Sequence, residues 1–371
     1  MFDQLVVGAA PGDAITQCAL VIRDALSQYG RSDLFAQYIE PGVEDRVRPI
    51  DELRRRPNAD RPLIFHASIG SWPVAQALDH ERDLILYYHN FSPPEFFAAF
   101  APDVADDLLR GRWELGRIRD RVRLSIAASE YNAEELVRLG YDDVIVAPPM
   151  PDVTRLERIV PDVAMLGRLE AMGNGPLVLC VAQQLPHKRV ERVLAAVAVL
   201  QQEYHPDARF VHVGVDRFEQ YSRALRAMAR TVGLRDPQFL GRVSDAELSA
   251  LYVRARVVIT LSEHEGFCVP VVEAMALGVP VVASARAAIP STVGDAGILI
   301  DDPDDPVLVA GVLHEVITDE TLRWILVGRG VSRSHRMSTR AVLPRVVDAV
   351  LDTLGPGRPA TMQAEPETAS A

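Results

Sequence analysis

Short apolar runs alternate with amphipathic stretches along the whole chain. Six fall in the first half, at residues 5–10, 34–39, 63–67, 84–89, 124–128 and 144–147, and six in the second, at 177–182, 209–213, 238–240, 257–261, 279–283 and 297–300. Each is strand-length and apolar throughout, which is the pattern of strands in a parallel sheet covered by helices on both faces. The segments between them read as helices. Val190, Val193, Leu194, Val197 and Leu200 make one buried stripe of a helix predicted over 190–202. Two such series in tandem predict an α/β chain of two Rossmann-like βα domains facing each other across a cleft, with ligands held at the carboxyl ends of the strands. Pro148-Pro149-Met150-Pro151 opens the linker, and Gly173-Asn174-Gly175-Pro176 turns into the first strand of the second domain. The expected division is 1–160 and 161–337. Residues 355–371 carry no apolar periodicity and are expected to form a disordered tail.

Composition narrows the function. At 371 residues there is room for two domains of about 100–200 residues each. Apolar residues make up 48% and charged residues 24%, with a net charge of −12, so general nucleic-acid binding is excluded. Every apolar stretch is too short to span a bilayer, and Met1-Phe2-Asp3-Gln4 lacks the basic start of a signal peptide. Cys18, Cys180 and Cys268 are scattered and odd in number, which argues against a disulfide framework or a zinc site and for a reducing compartment. A cytoplasmic location is expected. No H-x-x-x-H spacing occurs, and a metal-independent reaction is expected.

The most informative stretch is residues 262–280. It follows the apolar run 257–261, and Gly266 is read as permitting a tight turn. Pro270 suits the first position of a helix, Gly278 ends that helix, and Pro280 leads into the next strand. Glu265 therefore sits in a loop and Glu273 early in the helix. The free N–H groups of a helix start attract anions, and an adjacent carboxylate accepts hydrogen bonds from hydroxyls. Phosphate and sugar hydroxyls together point to a nucleotide sugar.

Glu265 and Glu273 fit an E-x7-E spacing. The surrounding E-G-F-x-x-P…E-A-M-A-x-G-x-P-V-V-A resembles the family-4 retaining glycosyltransferases (glycosyl transferases group 1) of the GT-B fold. The resemblance is sharp over 177–301 and looser in the first domain, where acceptor recognition is expected. It implies that Glu273 holds the ribose hydroxyls. Glu265, with the backbone of Gly266, Phe267, Cys268 and Val269, is expected to hold the sugar hydroxyls and phosphate. It also implies that a final helix, here 338–354, crosses back onto the first domain.

Residues 181–189 resemble the family's V-G-R-x-x-P-x-K-G segment, whose Arg and Lys neutralise the donor diphosphate. Lys188 matches the Lys and is expected to stabilise the leaving group. Gln183 stands where Arg is usual. A neutral amide donates hydrogen bonds but cannot offset a phosphate charge, and Arg189 is the candidate to compensate. In the first domain, Gly12 and Asp13 in the loop after the first strand are candidates for donor contact. The loop lacks the G-x-G-x-x-G spacing of a dinucleotide-binding dehydrogenase. His89, ending the strand 84–89 before a Pro-rich loop, corresponds to a His that contacts the donor sugar. His66 is read as structural, and Glu95 as an acceptor contact. Arg242 and Val243 are expected near the nucleotide base, with Ser244 and Glu247 capping the next helix.

The basic run Arg110, Arg112, Arg117, Arg119, Arg121 and Arg123 has two readings. Interspersed acids favour a solvated helix; the other reading is peripheral contact with the inner face of an anionic membrane. Arg54-Arg55-Arg56 is read as a solvated loop. The expected activity is retaining transfer of a hexosyl unit from a nucleotide-diphospho-sugar to a glycan, lipid-linked or small-molecule acceptor, with no cofactor. The alternatives are a catalytically impaired nucleotide-sugar-binding protein and a sugar-nucleotide epimerase of the same fold.

Overall fold

A computed structural model describes residues 2–56, 62–79 and 83–353. The expected tail at 355–371 lies outside them. Two all-parallel sheets organise the chain. The first has the order β3-β2-β1-β4-β5-β6-β7, with β1 at Phe2–Ala9, β2 at Ser32–Ile39, β3 at Arg48–Pro49, β4 at Leu63–Ala67, β5 at Leu84–Tyr88, β6 at Val122–Ala127 and β7 at Val144–Val146. The second runs β10-β9-β8-β11-β12-β13, with β8 at Leu177–Val181, β9 at Arg209–Val213, β10 at Gln238–Phe239, β11 at Val257–Thr260, β12 at Val281–Ser284 and β13 at Ile298–Ile300. These are the predicted strands, within a few residues at their ends. The addition is β3, a two-residue edge strand containing Pro49, which loses nothing there because an edge residue need not donate to a neighbour.

Helices cover both faces of each sheet. The predicted stripe is realised in the helix Val190–Glu203, where Val190, Val193, Leu194, Val197 and Leu200 are fully buried. The helix Val153–Arg158 sends Leu156 into the second domain's core beside Met165 and Val272. An apolar residue is thus already committed to the second core at 156, within the linker region that opens with Pro148-Pro149-Met150-Pro151. At the other end, the helix Thr339–Asp352 follows the second domain but packs Val342, Val346, Val350 and Leu351 against Phe2, Cys18, Ile22 and Leu26 under the first sheet. Thr339 Oγ1 donates to the Met150 carbonyl at 3.1 Å, which ties the two connecting segments together.

Arg56 is not the solvated residue expected. It lies over the Phe35 ring and pairs with Asp33 at 2.8 Å and with the buried Asp3 at 3.1 Å. Among the described residues no helix is long and apolar enough to cross a membrane.

Candidate active site

In each sheet the strand order reverses between two neighbours, β1 and β4 in the first and β8 and β11 in the second. The crevice outside the carboxyl ends at such a point is where open α/β sheets hold ligands. In this chain the two carboxyl edges meet.

The loops after β8 and β11 bring together residues far apart in sequence. Lys188 closes the short turn Pro186–Lys188, and its Nζ donates to Glu265 Oε2 at 2.7 Å. Ser262 Oγ donates to the other oxygen, Glu265 Oε1, at 2.9 Å. Glu265 is buried, and both its oxygens are satisfied by groups that fix its direction. Ser262 is held in turn by Thr260 at 3.1 Å and, through its carbonyl, by Ser284 at 2.5 Å.

Beyond Glu265 the chain enters the helix Val269–Ala276. The residue with left-handed backbone is Cys268, φ 80°, rather than Gly266. Pro270 occupies the second helical position, Val269 the first, and Gly278, φ 69°, follows the helix end. Gly266 is needed for a different reason than a turn. A Cβ there would stand 2.2 Å from the His89 carbonyl oxygen and 2.9 Å from Asn90 Cβ. The loop of one domain thus lies directly on the strand end of the other. The Phe267 carbonyl accepts from Thr292 Oγ1 at 2.6 Å. Among the described residues, the N–H groups of Gly266, Phe267 and Cys268 meet no protein acceptor. Three free donors just before a helix, beside an ammonium, are an arrangement of the kind that attracts anions. Burial pushes the Cys268 thiol up, so it stays protonated.

Across the cleft, His89 follows β5, and its N–H donates to the Ala67 carbonyl. Asn90 adopts φ 91°, a conformation that needs support in a residue other than glycine. Its amide donates to Asn132 at 2.8 Å and to Glu135 at 3.1 Å; Glu135 also accepts from Tyr88 at 2.7 Å and pairs with Arg112, whose other arm donates to the Phe91 carbonyl at 2.6 Å. None of these supporting residues carries a motif. Their signal is three-dimensional.

Glu273, on the helix, accepts from the buried Tyr252 hydroxyl at 3.0 Å. Burial pushes its carboxyl up to about 7, with the Tyr252 hydrogen bond opposing. Because that value lies above the 4.5 of a free glutamate, the folded state holds an extra proton between about pH 4.5 and 7. Stability contributed by this proton is therefore lost as pH rises through that window. Against a Glu273→Gln variant, the wild-type melting temperature is expected to fall from pH 4.5 to pH 7. A constant difference across that range would refute the half-buried, protonated carboxyl.

At the other side of the cleft, Arg242 donates to the Pro11 carbonyl at 3.2 Å and reaches Glu40 at 3.6 Å. Gly12, φ 74°, shapes this loop, and Asp13 caps the helix Ala14–Leu26 by accepting from Thr16 N and Oγ1, both at 2.8 Å. Asp13 thus spends its hydrogen bonds on the cap. Val243 packs partly into the second domain's core, and Ser244 and Glu247 form a reciprocal capping box. Gln183 Oε1 accepts from Arg217 Nε at 3.3 Å, and Arg217 reaches Glu40 only at 4.0 Å. Arg217 was not distinguishable in the sequence, where Asp216-Arg217-Phe218 follows no motif. Arg189 has a different occupation. It sits at φ 48°, over the Phe96 ring at 5.5 Å and beside Glu191 at 3.4 Å. There it is part of the packing between domains, with Phe97 against His187 and Phe218.

The basic run pairs within the molecule: Arg110 with Asp107 at 3.7 Å, Arg112 with Glu135, Arg117 with Glu114 at 2.9 Å, Arg119 with Asp120 and Arg123 with Asp83 at 3.0 Å. That is the solvated pattern. One acidic triplet, Asp302-Pro303-Asp304, has the D-x-D form but follows β13, where Asp304 is held by Arg192 at 2.6 and 2.8 Å.

Residues 167–330 match the family model of glycosyl transferases group 1. O-antigen chain mannosyltransferase B of Escherichia coli is 36% identical over 112 residues, covering 30% of this chain and 29% of that protein. The match thus spans less than a third of that relative's length. D-inositol 3-phosphate glycosyltransferase of Thermobifida fusca is 34% identical over 312 residues, covering 77% of this chain and 67% of that protein. Among solved structures, Anabaena HepE in complex with UDP-glucose superposes with a TM-score of 0.76 at 18% identity, over 94% of this chain and 98% of that one. With two separate parallel Rossmann-like sheets, the chain belongs to the group 1 glycosyltransferases and has the GT-B fold.

Proposed function

We propose that this protein transfers a hexosyl unit from a nucleotide-diphospho-sugar to a hydroxyl acceptor with retention of configuration. The observation that carries this reading is the Lys188–Glu265 pair beside three free N–H groups, facing His89 across the domain junction. A diphosphate suits the N–H groups and Lys188, and sugar hydroxyls suit Glu265. Ribose hydroxyls suit Glu273 once it is ionised. The E. coli relative's name favours mannose as the unit transferred and a glycan as acceptor. HepE holds UDP-glucose in its complex, which supports a nucleotide sugar as donor.

In the proposed step the acceptor oxygen bonds to the anomeric carbon from the side the leaving group departs. The carbon–phosphate oxygen bond breaks, and the departing phosphate takes the acceptor's proton. Lys188 offsets the charge that develops on that phosphate, and no metal takes part. Domain contact through Gly266 keeps water from the donor. A cytoplasmic location with contact at the inner face of a membrane fits a lipid-linked acceptor. For that contact we point to exposed Trp72 and Trp113, each lying under an arginine, rather than to the paired basic run.

Arg217 changes the meaning of Gln183. Lys188 shares its ammonium between Glu265 and the diphosphate, so a further cation adds to the site, and Gln183 holds the Arg217 guanidinium beside it. This favours a working enzyme over the impaired alternative. Arg217→Ala is expected to raise the donor KM about tenfold, in the range of a charge-assisted hydrogen bond. Gln183→Arg is expected to give no gain in turnover, because it sets two guanidiniums together. A large gain would restore the impaired reading.

The direct test is calorimetric titration with UDP, GDP, ADP and dTDP in the presence of a chelator, then turnover with sugars of the nucleotide that binds. Selective binding lost in Glu273→Ala supports the donor site. Binding to none of the four by folded protein refutes it, and release of free sugar product without an acceptor identifies an epimerase instead.

A further inference from the structure

Under the helix Ala14–Leu26, three buried polar side chains from neighbouring strands form a line toward the cleft: Gln4 on β1, His66 on β4 and His89 just after β5. Gln4 and His66 are fully buried and His89 nearly so. Cys18 lies close enough to the two histidines that the trio could be taken for a metal site. The hydrogen bonds give a different account.

The line starts at a group whose chemistry is unambiguous. The Ala19 carbonyl can only accept, so the Gln4 side chain must turn its NH2 toward it, at 3.0 Å. Gln4 Oε1 then faces His66 Nε2 at 2.8 Å. An amide oxygen cannot donate, so His66 Nε2 carries the proton. Burial drives the His66 pKa down to about 3, so the ring is neutral and its Nδ1 is bare. That lone pair faces His89 Nε2 at 3.0 Å, which must therefore be the protonated nitrogen of His89. Burial and the neighbouring His66 hold His89 neutral as well. Its Nδ1 is left bare and without a protein partner among the described residues, and it is not sealed from solvent. The ring also stacks on Tyr87 at 4.5 Å, which supports this position. The only lone pair of His66 is already engaged, and burial pushes the Cys18 thiol up to about 12, so the trio is poorly disposed to hold a cation.

We infer that Gln4 and His66 are positioning residues that lock His89 in the Nε2–H form and so present its Nδ1 as a fixed hydrogen-bond acceptor to a hydroxyl in the cleft. The inference rests on the glycosyl-transfer reading only for the identity of that hydroxyl, which belongs to the bound sugar or the acceptor. The direction of the relay stands on the geometry alone. It also sets a preference. A ligand group that donates is accepted, while one that only accepts, such as a fluorine in place of hydroxyl, leaves Nδ1 unpaired.

The test is long-range 1H–15N correlation on the full chain labelled at histidine nitrogen, with His66→Gln and His89→Gln used for assignment. Wild-type His66 and His89 are expected at the pure Nε2–H shifts, without the averaging of a free imidazole. Gln4→Met removes the acceptor that His66 Nε2–H has among the described residues, and both rings are expected to shift toward mixed tautomers. In turnover assays kcat is expected to fall about tenfold with the donor KM within twofold, a split that general destabilisation does not produce. A wild-type His89 protonated at Nδ1, charged or averaging overturns the relay without any variant. A His89 still locked in folded Gln4→Met overturns it too. If the wild-type shifts fit but no donor is turned over, the relay survives and the glycosyl-transfer reading fails.

Discussion

Replacing Lys188 with alanine is expected to lower kcat by about two to three orders of magnitude, the effect of deleting one preorganised group that meets charge developing in a transition state. The donor KM is expected to change by only a few-fold, because the free N–H groups at residues 266–268, proposed to hold the diphosphate, are left in place. Removing the ammonium also leaves Glu265 buried with Ser262 as its remaining partner. A second variant separates the two consequences. In Lys188→Ala combined with Glu265→Gln the buried charge is gone. If that double variant regains most of the activity, the cation matters only as a counterion to Glu265 and its assigned role on the leaving phosphate is wrong. Steady-state kinetics and thermal melting on the three proteins decide it.

The second large effect is expected from one methyl group. Gly266→Ala places a Cβ 2.2 Å from the His89 carbonyl oxygen, and the atoms it meets are backbone, which cannot rotate away. The relief available is for the domains to part. Each keeps its own core, so unfolding is expected to shift little, by about the 1–3 kcal/mol of an overpacked contact at most. Separation by about 1 Å moves Glu265 and Lys188 away from His89, which is expected to cost about 100-fold in kcat/KM. Small-angle scattering is expected to show a larger radius of gyration for the variant. Wild-type scattering and full activity in Gly266→Ala would mean that the close approach is not part of the working state.

The fold was legible because its strands are apolar on both faces, a local pattern that survives without knowledge of neighbours. The spatial placement of the second domain's candidate residues was legible for a related reason. Lys188, Glu265 and Glu273 sit at strand-to-helix junctions that glycine and proline punctuate, so position along the chain already implied position in space. The meaning of Gly266 was not legible, since its constraint comes from His89, 177 residues earlier by the difference 266 − 89. Arg217 was hidden because nothing local distinguishes it from any surface arginine; only its contact with Gln183 does. His66 was read as structural and is so in its burial, yet its hydrogen bond to His89 joins it to the cleft. The setting of Arg189 was hidden in the same way. The sequence shows a cation beside Lys188, while Phe96, from the other domain, comes beneath it only in three dimensions.

The helix Thr339–Asp352 has a consequence for how this protein is made. Vectorial synthesis delivers the first sheet's strands by residue 146, but Val342, Val346, Val350 and Leu351, which cover Phe2, Cys18, Ile22 and Leu26, emerge roughly 200 residues later. At about 5–20 residues per second the nascent first domain spends on the order of ten seconds or more with that apolar face bare. The second domain, whose cores draw on residues 156–337, can close before it. The half of the protein translated first is thus the half completed last, and its exposed face is where a ribosome-associated chaperone would find its substrate.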